Sequence, residues 1–282
     1  MIPRSIKPDL PVDPVTVDIL RAVAEETHAE GIDYLLVGAT ARDVLLTHVH
    51  GLASRRATYD VDFAVAVKNW DQFAALRTRL IARGAFSASG EAQQRLYYQA
   101  PGSNLAYQLD LVPFGGVSQG TNEIAWPPDM KIIMNIAGYD DVLAAAELVT
   151  FAPDFDGKVV SLPGLAILKL VAWSDRGKVD PKDAHDLIQL MNSYAAAGNV
   201  DRIYDEDGVI DAGEYDPDLA RVYLLGKDIR RVASTDTLDI VRHIIERDFD
   251  RLAHQMTKAM RHLEDAESHV DKRLRLLQQA LA

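Results

Sequence analysis

The segment Asp60-Val61-Asp62-Phe63 constrains this chain most, because it places two carboxylates at alternate positions of a predicted strand. Successive side chains of a strand point to opposite faces, so Asp60 and Asp62 share one face while Val61 and Phe63 share the other. Neighbouring carboxylates repel one another unless a cation lies between them. The segment therefore predicts either a divalent-cation site or an edge strand with a solvated acidic face.

A second strand precedes this acidic segment and ends in a glycine. The apolar run 34–37 is typical of a buried central strand, and Gly38 follows it where a helix is predicted to begin. Glycine lets the backbone approach a ligand closely, and the free amide groups at a helix start suit phosphate. The segment from Gly38 to Asp43 thus predicts either a phosphate contact or a plain turn.

A third carboxylate lies on a later predicted strand. Alternation over residues 106–112 places Gln108 and Asp110 on a polar face, between apolar neighbours, and a further strand is predicted at 95–99. An isolated strand aspartate is commonly a surface residue. Beside a site that already holds two carboxylates, Asp110 becomes a candidate third ligand.

The remaining length predicts a change of architecture near residue 160. Helices at 14–29 and 69–83 alternate with the strands, whereas apolar residues recur at helical spacing after Leu162 and again between Leu238 and Leu263. The sequence therefore predicts an α+β protein, with a sheet-containing domain at 1–160 and a mainly helical domain at 161–282. Residues 203–214 resemble an EF-hand loop, but Ile203 replaces the first aspartate ligand, which predicts an acidic surface loop.

Composition limits the classes of function. The 282 residues are 48% hydrophobic and 26% charged, as in a globular protein with a core, and they include no cysteine. No apolar run is long enough to span a membrane, so we expect a cytoplasmic protein with no membrane partner. The formal net charge of −12 counts against extensive binding of nucleic acid, although it permits a local basic patch.

The first predicted helices of the second domain carry a lysine and a pair of aspartates. Lys169 lies on an otherwise apolar helix, and Asp183 and Asp186 lie on the next one. A lysine among apolar residues needs an ion-pair partner, such as Asp175 or Asp183, or else a ligand such as phosphate. The sequence leaves both alternatives open.

Taken in order, these features resemble the polymerase-β-like nucleotidyltransferase superfamily, and within it the AbiEii/AbiGii toxin-type nucleotidyltransferases. The resemblance covers about residues 34–190. Ala39 stands where the family has a second glycine or a serine, and Gly38 to Leu46 also resembles the opening of CCA-adding enzymes. The motifs that carry the resemblance are Gly38-Ala39-Thr40-Ala41-Arg42, Arg56-x-Thr58-x-Asp60-Val61-Asp62, and Lys169 with Asp175-Arg176 and Lys182-Asp183-x-x-Asp186.

The resemblance implies a mixed sheet with flanking helices and a metal-dependent nucleotidyl transfer. It implies that Asp60, Asp62 and Asp110 bind two Mg²⁺ ions, with Asp110 also able to act as general base. The remaining candidates would form the site of the nucleoside triphosphate, expected to include ATP. Gly38, Thr40, Arg56 and Lys169 would contact it, and Asp183 or Asp186 would support the base or Lys169.

The acceptor and the partners are less constrained by the residues. The toxin-type resemblance implies transfer to RNA, in particular transfer RNA, in a toxin–antitoxin or phage-defence system, with a cognate antitoxin as a partner. A small-molecule or protein acceptor is the second hypothesis. A catalytically inactive binding module is the third, against which three clustered carboxylates argue.

Overall fold

The computed structural model of this chain describes residues 2–53, 60–118 and 122–282. The chain divides into two compact units, Met1–Ser161 and Leu162–Ala282. Each unit has a buried core of its own: Phe63, Leu109 and Leu111 are fully buried in the first, and Leu224 and Ile245 in the second.

A mixed eight-stranded sheet is the framework of the first unit, in the order β1-β9-β10-β2-β3-β6-β5-β4. Strand β3 pairs antiparallel with β2 and parallel with β6, so it is a central strand, and the edge-strand alternative for Asp60 and Asp62 is wrong. The described strands are β1 (Arg4–Ser5), β2 (Asp33–Val37), β3 (Asp60–Val67), β4 (Phe86–Ala88), β5 (Arg95–Gln99), β6 (Ala106–Gly115), the separate ribbon β7 (Glu123–Ala125) and β8 (Ile133–Asn135), and β9 (Glu147–Ala152) and β10 (Phe155–Val159).

Two helices of the first unit begin at residues whose side chains cap them. The Asp13 carboxylate accepts a hydrogen bond from the Val15 backbone, and Pro14 occupies the first turn, where it costs no hydrogen bond. Asn69 caps α3 in the same way through Gln72. The helices are α1 (Pro14–Ala29), α2 (Gly38–Asp43) continued by a π-helical segment (Val44–Val49), α3 (Trp70–Ala82) and α4 (Tyr139–Ala144).

The described residues of the second unit form helices and connecting turns. Val241, Ile245, Leu252, Met256 and Met260 of the predicted apolar stripe are buried in the core, whereas Leu263 at its end is exposed. The helices are α5 (Leu162–Arg176), α6 (Lys182–Ser193), α7 (Val200–Asp205), α8 (Val209–Ala212), α9 (Pro217–Val232), α10 (Thr235–Ala259) and α11 (Ala266–Leu281).

The predicted α+β class is confirmed: a mixed sheet with flanking helices precedes a C-terminal helical region. The prediction of an acidic loop at 203–214 is wrong, because most of this stretch forms α7 and α8. Ile203 and Val209 are buried there, and their burial favours helical turns over a solvated loop. Within the described ranges, no helix combines the length and the hydrophobicity that crossing a bilayer would need.

Candidate active site

The register of the sheet brings the three predicted carboxylates onto one face. Asp62 of β3 pairs with Asp110 of β6, and Asp110 pairs in turn with Arg95 of β5. Directly paired residues of adjacent strands point to the same side. Asp62, Asp110 and Arg95 therefore lie in a row across three strands, which we call the carboxylate row. Asp60 lies two residues before Asp62 on the same face, opposite Gln108 of β6. Three carboxylates, the amide of Gln108 and the guanidinium of Arg95 thus form a compact polar patch on one face of the sheet. The other face is apolar.

Within the carboxylate row, Asp110 is bound by an arginine that the sequence analysis did not single out. The Arg95 guanidinium donates from Nε to Oδ1 and from Nη2 to Oδ2, both at 2.9 Å, and the Gln108 amide donates to Oδ2 at 3.1 Å. The pair is largely shielded, with side-chain exposures of 29% and 16%. Hydrogen bonding to Asp110 raises the pKa of Arg95 above its ordinary value, so the guanidinium stays charged.

The alternation of β5 was the available signal for Arg95. Leu96 and Tyr98 are buried on one face, which leaves Arg95, Tyr97 and Gln99 on the other. Gln108 was already predicted on the polar face of β6. What the sequence could not provide was the register that sets Arg95 opposite Asp110.

Gly38 lies directly against the Asp62 carboxylate. Its φ of +71° is in the left-handed region, and a Cβ at this position would be 2.1 Å from Asp62 Oδ2. Val37 pairs with Asp62 across β2 and β3, which explains the contact. The turn after β2 therefore requires glycine for two reasons, backbone conformation and space beside the carboxylate.

Thr40 joins the same turn to the acidic strand. Its hydroxyl donates a hydrogen bond to the backbone carbonyl of Asp60 at 2.6 Å, and the residue is buried. This contact fixes the start of α2 relative to the start of β3. The hydroxyl is therefore engaged with the protein, and the predicted contact of Thr40 with a triphosphate stays a prediction. Arg56, the other predicted phosphate ligand in this region, lies outside the described residues.

The predicted residues of the second unit form one ionic group around the buried Asp183, which we call the lysine cluster: Lys169, Arg176, Asp183 and Asp186. Lys169 Nζ lies 3.1 Å from Asp183 Oδ1 and 2.5 Å from Asp186 Oδ2. Arg176 donates from Nε and Nη2 to the two Asp183 oxygens at 2.6 and 3.0 Å. Asp183 and Asp186, three residues apart on α6, share the helix face that receives these cations.

The geometry matches the ion-pair alternative for Lys169. Asp183 has no exposed side-chain surface and Lys169 only 9%. Burial acts to raise the pKa of Asp183, but the hydrogen bonds from Arg176 and the charge of Lys169 lower it below its ordinary value overall. Two cations and two carboxylates balance within the cluster. Binding of phosphate by Lys169, Asp183 or Asp186 stays a prediction.

The acidic patch of the first unit fits a hard divalent cation by its donor chemistry. Carboxylate oxygens are the protein ligands that Mg²⁺ prefers, and Asp60 and Asp62 are adjacent on one face. Asp110 fits by position but is held by Arg95. Across residues 2–53, 60–118 and 122–282, no three His, Asp or Glu side chains are arranged as a group that could hold a metal ion.

Comparison with known families gives one match over most of the chain. The sequence profile described as "Nucleotidyl transferase AbiEii toxin, Type IV TA system" matches residues 18–275, and so spans the carboxylate row and the lysine cluster. No curated protein matches the chain significantly.

Several solved structures are distantly similar. An antigenic nucleotidyltransferase-like protein from Paracoccidioides brasiliensis is 15% identical, with 72% of this chain and 93% of that chain covered and a TM-score of 0.44. The antibiotic-resistance factor ANT(2'')-Ia is 11% identical, with 89% and 100% covered and a TM-score of 0.39. A CCA-adding enzyme is 12% identical, with 95% and 82% covered and a TM-score of 0.33.

Proposed function

The chain belongs to the family of AbiEii nucleotidyl transferase toxins of type IV toxin–antitoxin systems, and we propose from this premise that it moves a nucleoside monophosphate from a nucleoside triphosphate to RNA. Transfer RNA is the proposed acceptor. The observation that carries the proposal is the contact between Gly38 and the Asp62 carboxylate. Asp62 lies directly beside Asp110 on the neighbouring strand. A backbone turn suited to phosphate and a carboxylate suited to a cation are thereby adjacent.

In this proposal, Asp60 and Asp62 hold Mg²⁺ and Asp110 is the third ligand. Two bound Mg²⁺ ions would lower the pKa of the attacking acceptor hydroxyl and neutralise the charge of the leaving pyrophosphate. Asp110, a carboxylate on the same sheet face, would also accept the proton of that hydroxyl.

The remaining groups bind and orient the triphosphate. The backbone amides of the turn that begins at Gly38 would bind a phosphate, while Thr40 fixes this turn on β3. Arg56 supplies positive charge to the phosphates in the proposal. Lys169 belongs to the second unit, where Asp183 and Asp186 hold it at 3.1 and 2.5 Å.

A second candidate function keeps the transfer chemistry and changes the acceptor. The net charge of −12 disfavours contact with a long phosphate backbone, which most nucleic-acid-binding surfaces meet with excess lysine and arginine. A small molecule or a protein side chain with a hydroxyl group is therefore the alternative acceptor. In the toxin–antitoxin setting, a cognate antitoxin is the proposed protein partner in the cytoplasm.

The decisive experiment incubates the protein with each α-labelled nucleoside triphosphate in turn, Mg²⁺ and total RNA. We expect label in the RNA fraction, abolished by Asp60→Asn, which preserves shape and removes the charge. Asp71→Asn is the matched control, because Asp71 is an exposed carboxylate in the first turn of α3.

The fate of the label separates the candidates. Label in protein or in small molecules, with none in RNA, supports the second candidate. A folded protein that transfers no label with any triphosphate contradicts both enzymatic functions and favours a binding module. Transfer by Asp60→Asn at the rate of Asp71→Asn contradicts the assignment of Asp60.

A further inference from the structure

The contact between Arg95 and Asp110 creates a competition at the proposed metal site. Both oxygens of Asp110 accept hydrogen bonds from the Arg95 guanidinium at 2.9 Å, and Oδ2 accepts another from Gln108. These three hydrogen bonds occupy three of the roughly four lone-pair sites of the carboxylate, which leaves at most one for a divalent cation. In this position, Asp110 can therefore accept the bidentate hydrogen bonds of the guanidinium or coordinate the cation, but it cannot do both with ideal geometry.

We propose that Arg95 is an exchanging residue of the active site: it holds Asp110 before substrate binds, releases it to the entering divalent cation, and then binds the triphosphate. This inference rests on the proposed function and adds to it a residue that sets both metal and substrate affinity. The exchange also explains why Asp110 lies beside Asp62 and is nevertheless paired with Arg95.

The position of Arg95 suits the second contact. Arg95 stands at the end of the carboxylate row, two strands from Asp62, which is about 10 Å between backbones at the usual strand spacing. An arginine side chain spans most of that distance, and its planar fork matches two phosphate oxygens. Once released, the guanidinium remains on the sheet face that carries Asp60 and Asp62, and the turn at Gly38 lies against Asp62.

The exchange also explains why an arginine is tolerated there. Without a compensating cation, Asp60, Asp62 and Asp110 would bring three negative charges together on neighbouring strand positions, which is unfavourable. Arg95 neutralises one of them in the metal-free protein. The arriving cation replaces this neutralisation, and the triphosphate provides the released arginine with a new anionic partner.

The test measures binding and needs no transfer activity. Mn²⁺ is titrated into the full chain without nucleotide, with free Mn²⁺ followed by electron paramagnetic resonance. We expect Arg95→Gln to bind Mn²⁺ about three- to tenfold more tightly than wild type, as for loss of one competing, largely shielded ion pair. The gain should vanish in the double variant Arg95→Gln/Asp110→Asn, which should match Asp110→Asn alone.

A second titration reports the other half of the exchange. Inorganic tripolyphosphate is added in saturating Mg²⁺, and its affinity is measured by calorimetry. Arg95→Gln should weaken tripolyphosphate binding about tenfold, the loss of one charge-assisted bidentate contact. Tighter metal binding combined with weaker polyphosphate binding is the signature, since a merely structural arginine would weaken both.

Two further variants keep the result interpretable. Arg79→Gln is the matched control, because Arg79 also pairs with a carboxylate, Glu26, but does so between α1 and α3, so both affinities should stay within about twofold of wild type. Arg95→Lys keeps the charge and loses the fork, and serves if Arg95→Gln unfolds. It should show the same two changes, at smaller size.

The outcomes separate this inference from the proposed function. Unchanged or weaker Mn²⁺ affinity in Arg95→Gln and Arg95→Lys, or a gain that persists without Asp110, overturns the exchange. Unchanged tripolyphosphate affinity overturns it as well. By contrast, Mn²⁺ binding that Asp60→Asn leaves intact contradicts the proposed function, whatever Arg95 does.

Discussion

At the scale of single residues, the turn after β2 in the first unit requires Gly38, which has no Cβ atom. Gly38 has φ +71°, and its missing Cβ leaves the space that Asp62 occupies. A left-handed backbone costs a non-glycine residue about 1–2 kcal/mol, and the overlap adds to this cost. One glycine therefore controls both the turn after β2 and the direction of a proposed metal ligand.

Replacement of Gly38 should separate these two effects. Gly38→Ala is expected to lower the free energy of unfolding by about 2–4 kcal/mol and to weaken Mn²⁺ binding, because the new methyl group displaces the Asp62 carboxylate. Gly31→Ala is the control, since Gly31 also has a positive φ, +63°, but has open space around its Cβ position. Urea unfolding and Mn²⁺ titration measure the outcome. Equal losses in the two variants would show that the overlap with Asp62 has no effect.

The lysine cluster leads to a pH-dependent prediction at the same scale. Asp183→Asn removes the carboxylate that Lys169 and Arg176 share, and breaking one partner of a buried pair costs about 3–5 kcal/mol. Interaction with these cations lowers the folded-state pKa of Asp183, so its contribution is present above the unfolded-state value of about 4 and is lost as pH falls through the folded-state pKa.

Urea unfolding of wild type and Asp183→Asn across pH 7 to 3 measures this contribution. The difference in free energy of unfolding should be largest at neutral pH and should shrink below about pH 4. Asp201→Asn, an exposed aspartate in the first turn of α7, is the control and should shift stability by less than about 0.5 kcal/mol. A difference that stays constant with pH would contradict the ionised state of Asp183.

At the scale of elements, α9 and α11 approach most closely where small residues meet. A Cβ on Gly226 of α9 would be 2.4 Å from the Cβ of Ala280 on α11, and 3.4 Å from Leu277 Cδ1. Both Gly226 and Ala280 are buried. At this point the spacing of the two helices leaves no room for a side chain on residue 226.

Gly226→Ala should destabilise the second unit even though alanine is the better helix former. The propensity gain of about 1 kcal/mol is outweighed by the overlap, for a net loss of about 1–3 kcal/mol. Adding Ala280→Gly should restore part of this loss, because it removes the atom that collides. Thermal unfolding of the two single variants and the double variant gives the coupling energy, and purely additive effects would contradict the close approach.

At the scale of the whole molecule, each unit is built around its own buried side chains. Leu109 lies in the sheet of the first unit and Ile245 in α10 of the second, and both are fully buried. Truncation of either side chain to alanine should lower the free energy of unfolding by about 2–5 kcal/mol. Local stability is set mainly by the core to which an element belongs.

Hydrogen exchange should therefore report the two units separately. Leu109→Ala is expected to reduce amide protection in β3 and β6 before it affects α9 and α11, and Ile245→Ala to do the reverse. Exchange followed by mass spectrometry of peptides from each unit measures this. An equal loss of protection in both units for both variants would show that the chain unfolds as one cooperative body.

The sequence by itself determined the local elements and the faces of the strands. Apolar periodicity predicted α1 over residues 14–29, a strand was also predicted over 95–99, and both agree with the structure. Alternate residues of a strand share one face, so the sequence placed Asp60 with Asp62, and Gln108 with Asp110, on the same face of their strands. This result does not depend on which strands lie beside them. Short elements were missed or misassigned, including β9 and the helices of 203–214, because few residues carry too little periodicity.

The tertiary structure alone decided which of these residues meet. Pairing of Asp62 with Asp110, and of Asp110 with Arg95, depends on a strand register between segments far apart in the chain, which local patterns do not encode. The same holds for Gly38 beside Asp62 and for the choice of Asp183 and Asp186 as partners of Lys169. Residue types and spacing thus predicted the acidic site, and three-dimensional packing showed that one of its carboxylates is held by an arginine.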